Sequence, residues 1–246
     1  MITRNDIDKF HRDILRLGTK ATTLNVYMRH LKSAFVCAQE WGYIKINPYR
    51  TVKQIVTDTE YTRFLTQEEI NKLLSVIDDI DFKRFVIFAI LTGCRSGELL
   101  RLQWADVKDT HIIIRKTKTH TPRTVPIVEQ LKTIIDEMRQ PSGLVFPRWK
   151  TIWTVSKYFK KYVTKAGIPP IKLHGCRHTL GSHLAMSGVH QKTIAEILGH
   201  TQLSTTERYM HLHPDHLKDE MSKMKIAVNP HLIENPKIVS IGNKKR

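Results

Sequence analysis

Residues 173–213 read LHGCRHTLGSHLAMSGVHQKTIAEILGHTQLSTTERYMHLH, and they set His174, Arg177, His200 and Tyr209 on successive short elements. Leu180 and Leu184 fall in helical register behind His174, which predicts a helix over 174–186 closed by Gly188. A second helix is expected over 193–198 with Gly199 as its cap, and a third from about Ser204 that carries Tyr209. Two of the four side chains are proton donors or acceptors, one is a fixed cation, and one is a phenol able to act as a nucleophile.

Moving upstream, Pro169-Pro170 forces an extended entry into this stretch. Before it, 153–166 is a basic amphipathic helix, with Val155, Phe159, Tyr162 and Val163 on one side and Lys157, Lys160, Lys161 and Lys165 largely on the other. A helix over 128–138 is broken by Pro141-Ser142-Gly143. HIIIRK (111–116) and RTVPI (123–127) are β-branched runs that read as a β-hairpin with a long basic loop. In TGCRSGELLRLQW (92–104) Gly93 permits a sharp turn that places Arg95 near the start of a helix with Leu99 and Leu102 facing inward. The apolar run over 82–91 suits a central core helix, and Thr66 with Glu69 forms a capping box ahead of Ile70, Leu73, Leu74 and Ile77.

The first fifty residues hold two expected helices, over 4–16 and 22–41, the second burying Leu24, Tyr27, Leu31, Ala34, Phe35 and Ala38. Two helices make a thin domain with little core. The polar passage after Arg50 lacks helical period and reads as a linker.

The 246-residue chain carries 40 Lys and Arg against 23 Asp and Glu, a formal charge of +17. A polyanion is therefore the default partner, although charge alone does not separate DNA from RNA or an anionic membrane. No run of apolar residues is long enough to span a bilayer, and MITRNDIDKF lacks the apolar core of a secretory signal, so a cytoplasmic protein is expected. Cys37, Cys94 and Cys176 lack metal-site spacing and suit a reducing compartment.

Phosphodiester transfer needs positive charge on the non-bridging oxygens, an in-line nucleophile and a proton donor for the leaving oxygen. Arg177 follows His174 by three residues, so a guanidinium fork and an imidazole share one helix face. Taken alone, that pair is equally a surface histidine with a solvated arginine. Arg95 lies in an otherwise apolar run, with Glu98 one turn on; Glu98 either orients it or forms a buried ion pair that ties two helices together. His174 and His178 stand at i, i+4, and His183, His211 and His213 add further imidazoles, but neither HExxH nor a Cys-His cluster is present and no metal is expected.

In their order and spacing, TGCRSGELLRLQW, the basic hairpin ending in RTVPI, LHGCRHTLGSHLA and ILGHTQLSTTERYMHL resemble the tyrosine recombinase, or phage integrase, family, which is similar in mechanism to type IB topoisomerases. The resemblance implies that Arg95 and Arg177 clamp a scissile phosphate while His174 assists proton transfers. Lys118, in the TKT of the hairpin, would protonate the departing 5′ oxygen; the distance back from RTVPI favours it over Lys116. His200 would hydrogen-bond the phosphate, Tyr209 would form a 3′-phosphotyrosyl link, and Glu98 matches the family's acidic position.

The implied fold is mainly α with a small antiparallel β-hairpin. A catalytic domain (63–228) follows a partial helical core-DNA-binding domain (1–50) and a linker (51–62), and precedes a tail (229–246) that would couple subunits. The family's core-binding domain has about four helices, whereas two are expected here. The implied activity is site-specific DNA integration or excision for a phage or mobile element, without cofactor, metal or ATP. Expected partners are double-stranded DNA, a homotetramer on synapsed DNA that is monomeric when free, and accessory DNA-bending or directionality factors, with no membrane. Alternatives are a catalytically weak or inactive DNA-binding protein, a chromosome-dimer-resolving recombinase, and a topoisomerase that only relaxes supercoils.

Overall fold

The computed structural model describes residues 2–56, 63–115 and 122–212. The chain divides into two compact units, 1–61 and 62–246. The loop holding Lys116 and Lys118, the polar segment after Pro214 and the tail 229–246 lie outside the described residues.

In the first unit, α1 (Arg4–Arg16) starts at a capping box between Thr3 and Asp6, and α2 (Ala21–Glu40) packs against it. Ile7, Leu24, Met28 and Tyr49 form the buried core, with Leu31 and Phe35 partly buried beside them. Tyr27 and Ala34, expected in the buried stripe, are exposed instead. A single partner helix covers only the narrow line Leu24–Met28–Leu31–Phe35, not a broad face. The passage expected to be linker is anchored at its start. The Asn25 amide donates to the Ile55 carbonyl at 2.8 Å and accepts from the Ile55 amide at 2.9 Å, while Val52 and Ile55 pack on the core.

The second unit is mainly helical with a two-stranded antiparallel sheet. Helix α3 (Gln67–Val76) begins at the Thr66–Glu69 capping box. Helix α4 (Ile80–Thr92) buries a broad face, with Phe82, Phe85, Val86, Phe88 and Ala89 in the main core, while Lys83, Arg84, Ile87 and Leu91 are partly exposed. A one-turn helix, α5 (Ser96–Leu99), and a 3-10 turn (Trp104–Asp106) lead to strands β1 (His111–Ile114) and β2 (Arg123–Pro126). Their register pairs Ile112 with Val125 and Ile114 with Arg123, which puts Arg123 on the same inward face as these apolar residues.

Helices α6 (Glu129–Met138), α7 (Ile152–Lys165), α8 (Gly175–Met186), α9 (Gln191–Leu198) and α10 (Ser204–Met210) complete the unit. Helix α8 lies against α4 and is pinned to the start of the unit. The Leu65 amide donates to Thr179 Oγ1 at 3.0 Å, and His183 Nε2 donates to the Leu65 carbonyl at 2.8 Å. His183 is thereby accounted for as a structural residue.

Thr66→Ala removes only a helix cap and is expected to lower stability by about 1 kcal/mol. Phe85→Ala empties a fully buried site in α4 and should cost about 3–5 kcal/mol. Urea denaturation of the two variants checks this ranking, and equal losses would contradict it.

Candidate active site

Gly93 ends α4 in the left-handed region, at φ 59°. A Cβ there would also lie 2.7 Å from Leu198 and 2.9 Å from Leu180, so conformation and space both call for glycine. Arg177 Nη1, from α8, donates to the Gly93 carbonyl at 2.8 Å. Two residues on, Arg95 starts α5, and Glu98 accepts from its backbone amide at 2.8 Å and from its Nη1 at 2.9 Å. Glu98 also accepts from Arg123 Nη1 at 3.1 Å and Nη2 at 2.8 Å. Arg123 Nε donates to the Ile197 carbonyl in α9 at 3.3 Å. This contact is close because Gly199 has no side chain: a Cβ there would be 2.5 Å from Arg123 Cδ.

The Glu98 side chain is only 3% exposed. Burial pushes its carboxyl up, but the hydrogen bonds and charge of Arg123, followed by those of Arg95, outweigh this and hold it at about 2. Arg177 is 2% exposed. Burial, then the charges of Arg95 and Arg123, lower it to about 10, which leaves it cationic at neutral pH. Its Nη2 is buried with no hydrogen-bond partner among the described residues. A buried cation with an unfilled N–H is costly, and an anion supplies both the missing charge and the missing acceptor.

Tyr209 is 1% exposed, and its Oη lies 2.8 Å from His178 Nδ1. The ring rests on α8 at Gly181, where a Cβ would come within 2.8 Å of Cε2 and Cζ. On another side the His200 ring lies nearly parallel, at 14° and 6.4 Å between centroids, and His200 Nδ1 is 2.7 Å from Thr206 Oγ1. His174, at the head of α8, meets the His178 ring edge-on at 4.8 Å.

Burial raises the Tyr209 phenol above its ordinary value, while Arg177 and Arg208 act in the opposite direction. His178 is lowered to about 4 by burial, then by His174, Arg208 and Arg177. His200 is lowered to about 4 by burial, then by Arg177, Arg95 and Arg208. His174 is lowered by desolvation and by the same arginines. At neutral pH the site therefore combines neutral imidazoles, a protonated phenol and several fixed cations. Among the described residues, no three His, Cys, Asp or Glu side chains are grouped to hold a metal ion.

Arg95, Glu98, His174, Arg177, His200 and Tyr209 thus lie in one connected cluster, and Lys118 falls outside the described residues. Three members escaped the sequence reading. Arg123 stands at the head of the RTVPI strand, and Arg208 lies within TTERYMHL. His178 was noticed only for its i, i+4 spacing to His174, a spacing that fits metal ligands, and it instead meets the phenol.

A family comparison extends this geometry. The phage integrase family matches residues 63–216, and the chain belongs to that family. It is 30% identical over 227 residues to the integrase of Escherichia phage P2, covering 90% of this chain but 64% of that protein, under two thirds of its length. It is also 30% identical to the tyrosine recombinase XerA of Thermococcus onnurineus, covering 89% of this chain and 80% of that one. Among solved structures, the catalytic domain of bacteriophage HP1 integrase aligns with TM-score 0.56 and 31% identity, over 65% of this chain and 94% of that one. The same fold is seen in the Tn1549 transposon integrase in complex with a circular intermediate DNA (TM-score 0.75, 22% identity, 91% and 86% coverage). It is seen again in a lambda integrase tetramer bound to a Holliday junction (TM-score 0.68, 21% identity, 82% and 65% coverage).

The depressed Glu98 carboxyl sets a pH dependence. Its folded value lies below the ordinary 4.5, so the stability it contributes is present above that value and is lost as pH falls toward about 2. This loss should amount to roughly 3 kcal/mol over that window. Glu98→Gln should lower stability at pH 7 and flatten this acid limb, as read by urea unfolding at a series of pH values.

Proposed function

We propose that the protein is a site-specific DNA recombinase that cuts and rejoins strands through a 3′-phosphotyrosyl intermediate on Tyr209. The observation that carries this reading is the buried, unfilled Nη2 of Arg177 in the same cluster as a buried tyrosine. A phosphodiester satisfies the guanidinium and presents phosphorus to the phenol. Arg177 and Arg95 hold the non-bridging oxygens, which stabilises the charge that grows there in the transition state. His200 donates to the same phosphate, and His174 assists the proton transfers. Tyr209 Oη bonds to phosphorus as the bond to the 5′ oxygen breaks, and Lys118 gives the departing oxygen its proton. The phosphotyrosyl bond stores the energy of the broken linkage, so rejoining needs no ATP.

The partner is double-stranded DNA, which fits the +17 charge spread over the chain. Exchange between two duplexes calls for a tetramer, the form in which lambda integrase is seen on a Holliday junction. Residues 229–246 would link neighbouring protomers, and the first unit would contact DNA as a partial core-binding domain. The protein would be monomeric when free, act in the cytoplasm on nucleoid DNA, and use accessory bending or directionality factors. The P2 relative favours integration or excision of a mobile element, and the XerA relative keeps chromosome-dimer resolution as a second reading.

Incubation with a duplex library carrying a randomised segment should yield protein-linked DNA on denaturing gels. Tyr209→Phe should abolish that band while sparing DNA binding; a band that persists moves the nucleophile elsewhere. Arg95→Lys and Arg177→Lys should each slow cleavage by about a hundredfold or more, because a point charge does not replace the two-pronged fork. Lys118→Ala should regain cleavage on a duplex with a 5′-bridging phosphorothiolate, whose leaving group needs no proton. Failure of that rescue removes Lys118 from the acid role.

A further inference from the structure

The histidine that touches the nucleophile is not one of those assigned above. We infer that His178 is the group that takes the phenolic proton of Tyr209 as the tyrosine attacks phosphorus, a role that rests on the recombinase reading. With its own proton on Nε2, His178 accepts the phenol's hydrogen bond at Nδ1 over 2.8 Å. Tyr209 is 1% exposed, and the base in contact with its oxygen in this arrangement is the His178 imidazole.

His178 and Gly181 stand one turn apart on α8, so a single helix face offers the phenol an imidazole and a bare patch of backbone. The other two imidazoles are placed differently. His200 lies parallel to the phenol ring with Nδ1 engaged by Thr206, and His174 turns its ring toward His178.

The surrounding charges suit the role. Burial, then His174 from α8, Arg208 from α10 and Arg177 from α8, keep His178 neutral in the free protein, so the Nδ1 lone pair can take up the proton. Among the described residues its further ionisable neighbours are Tyr209 and, from the turn after α9, His200. A phosphodiester anion held by Arg177 offsets part of this positive field and makes His178 more basic when substrate arrives. In the step itself the Oη–P bond forms and the proton moves from Oη to Nδ1. The P–O5′ bond breaks, and its electron pair leaves with the 5′ oxygen, which is protonated by the leaving-group acid. In rejoining, Nδ1 returns the proton to Oη.

The test uses a duplex recovered from the randomised library by covalent capture on the unaltered full-length protein. His178→Asn keeps an acceptor for the hydrogen bond but cannot hold the proton. Single-turnover cleavage should slow by about a hundredfold or more, with folding and DNA binding retained. Placing 3,5-difluorotyrosine at position 209 makes the phenol more acidic. It should restore at least about tenfold to the Asn variant while changing the unaltered protein by under about threefold, the pattern expected when proton removal limits only the variant.

An Asn variant within about threefold of the unaltered rate overturns the inference. So does a slow Asn variant that the fluorinated phenol does not help, since that is how a purely structural histidine behaves. If His178→Asn does not fold, the unaltered protein still decides. Its cleavage rate should level off above an acid limb that reflects protonation of one group. A rate that instead climbs tenfold per pH unit through alkaline pH assigns the proton to hydroxide and overturns the inference. If the unaltered protein captures no DNA at all, the recombinase reading itself fails, a result distinct from each of these.

Discussion

One carboxylate holds the site in register. Glu98 is enclosed between Arg95 and Arg123 and also caps the backbone amide of Arg95. Through Arg123 it reaches the end of α9 at Ile197, so α5, β2 and α9 are all referenced to the same two oxygens. Burying an ion pair is expensive, and it is tolerated when the remaining lone pairs and N–H groups are filled. Here Glu98 accepts four hydrogen bonds, from Arg95 N and Nη1 and from Arg123 Nη1 and Nη2, and they occupy both of its oxygens.

The same arrangement sets the protonation state of the other groups. Burial is the largest cause that keeps His174, His178 and His200 neutral, and the charges of Arg177 and Arg208, with Arg95 for His174 and His200, add to it. Burial raises the phenol further above its already high ordinary value, against the pull of Arg177 and Arg208, so it is protonated at neutral pH. What the cluster lacks is negative charge, and the unfilled Nη2 of Arg177 is where that lack is most local.

Much of this was legible in the sequence where local rules dominate. Thr66-x-x-Glu69, Gly93 and Gly199 act within a few residues of themselves, so caps and turns fall where the text places them. An arginine amid apolar residues in TGCRSGELL announces a need for partners, and Glu98 one turn on is a near one. Arg123 is different: its burial depends on the register that sets it opposite Ile114, which no single strand reveals. His178 is harder still, because its partner is chosen by where α10 lands against α8. The outward positions of Tyr27 and Ala34 likewise depend on how few neighbours α2 has, which helical spacing does not record.

Tyr209 belongs to a small cluster with Ala185, Ile194 and Leu198, apart from the large core built around α4. Free energies of local opening scale with the apolar surface and hydrogen bonds that opening exposes, and a group of this size costs far less to open than the domain as a whole. Amide exchange in α9 and α10 should therefore outpace exchange in α4. Tyr209 is mounted on a part of the fold that opens more cheaply than the main core, while Arg177 is tied to the Gly93 carbonyl at the end of α4. Local opening around Tyr209 can thus leave the Arg177–Gly93 contact in place.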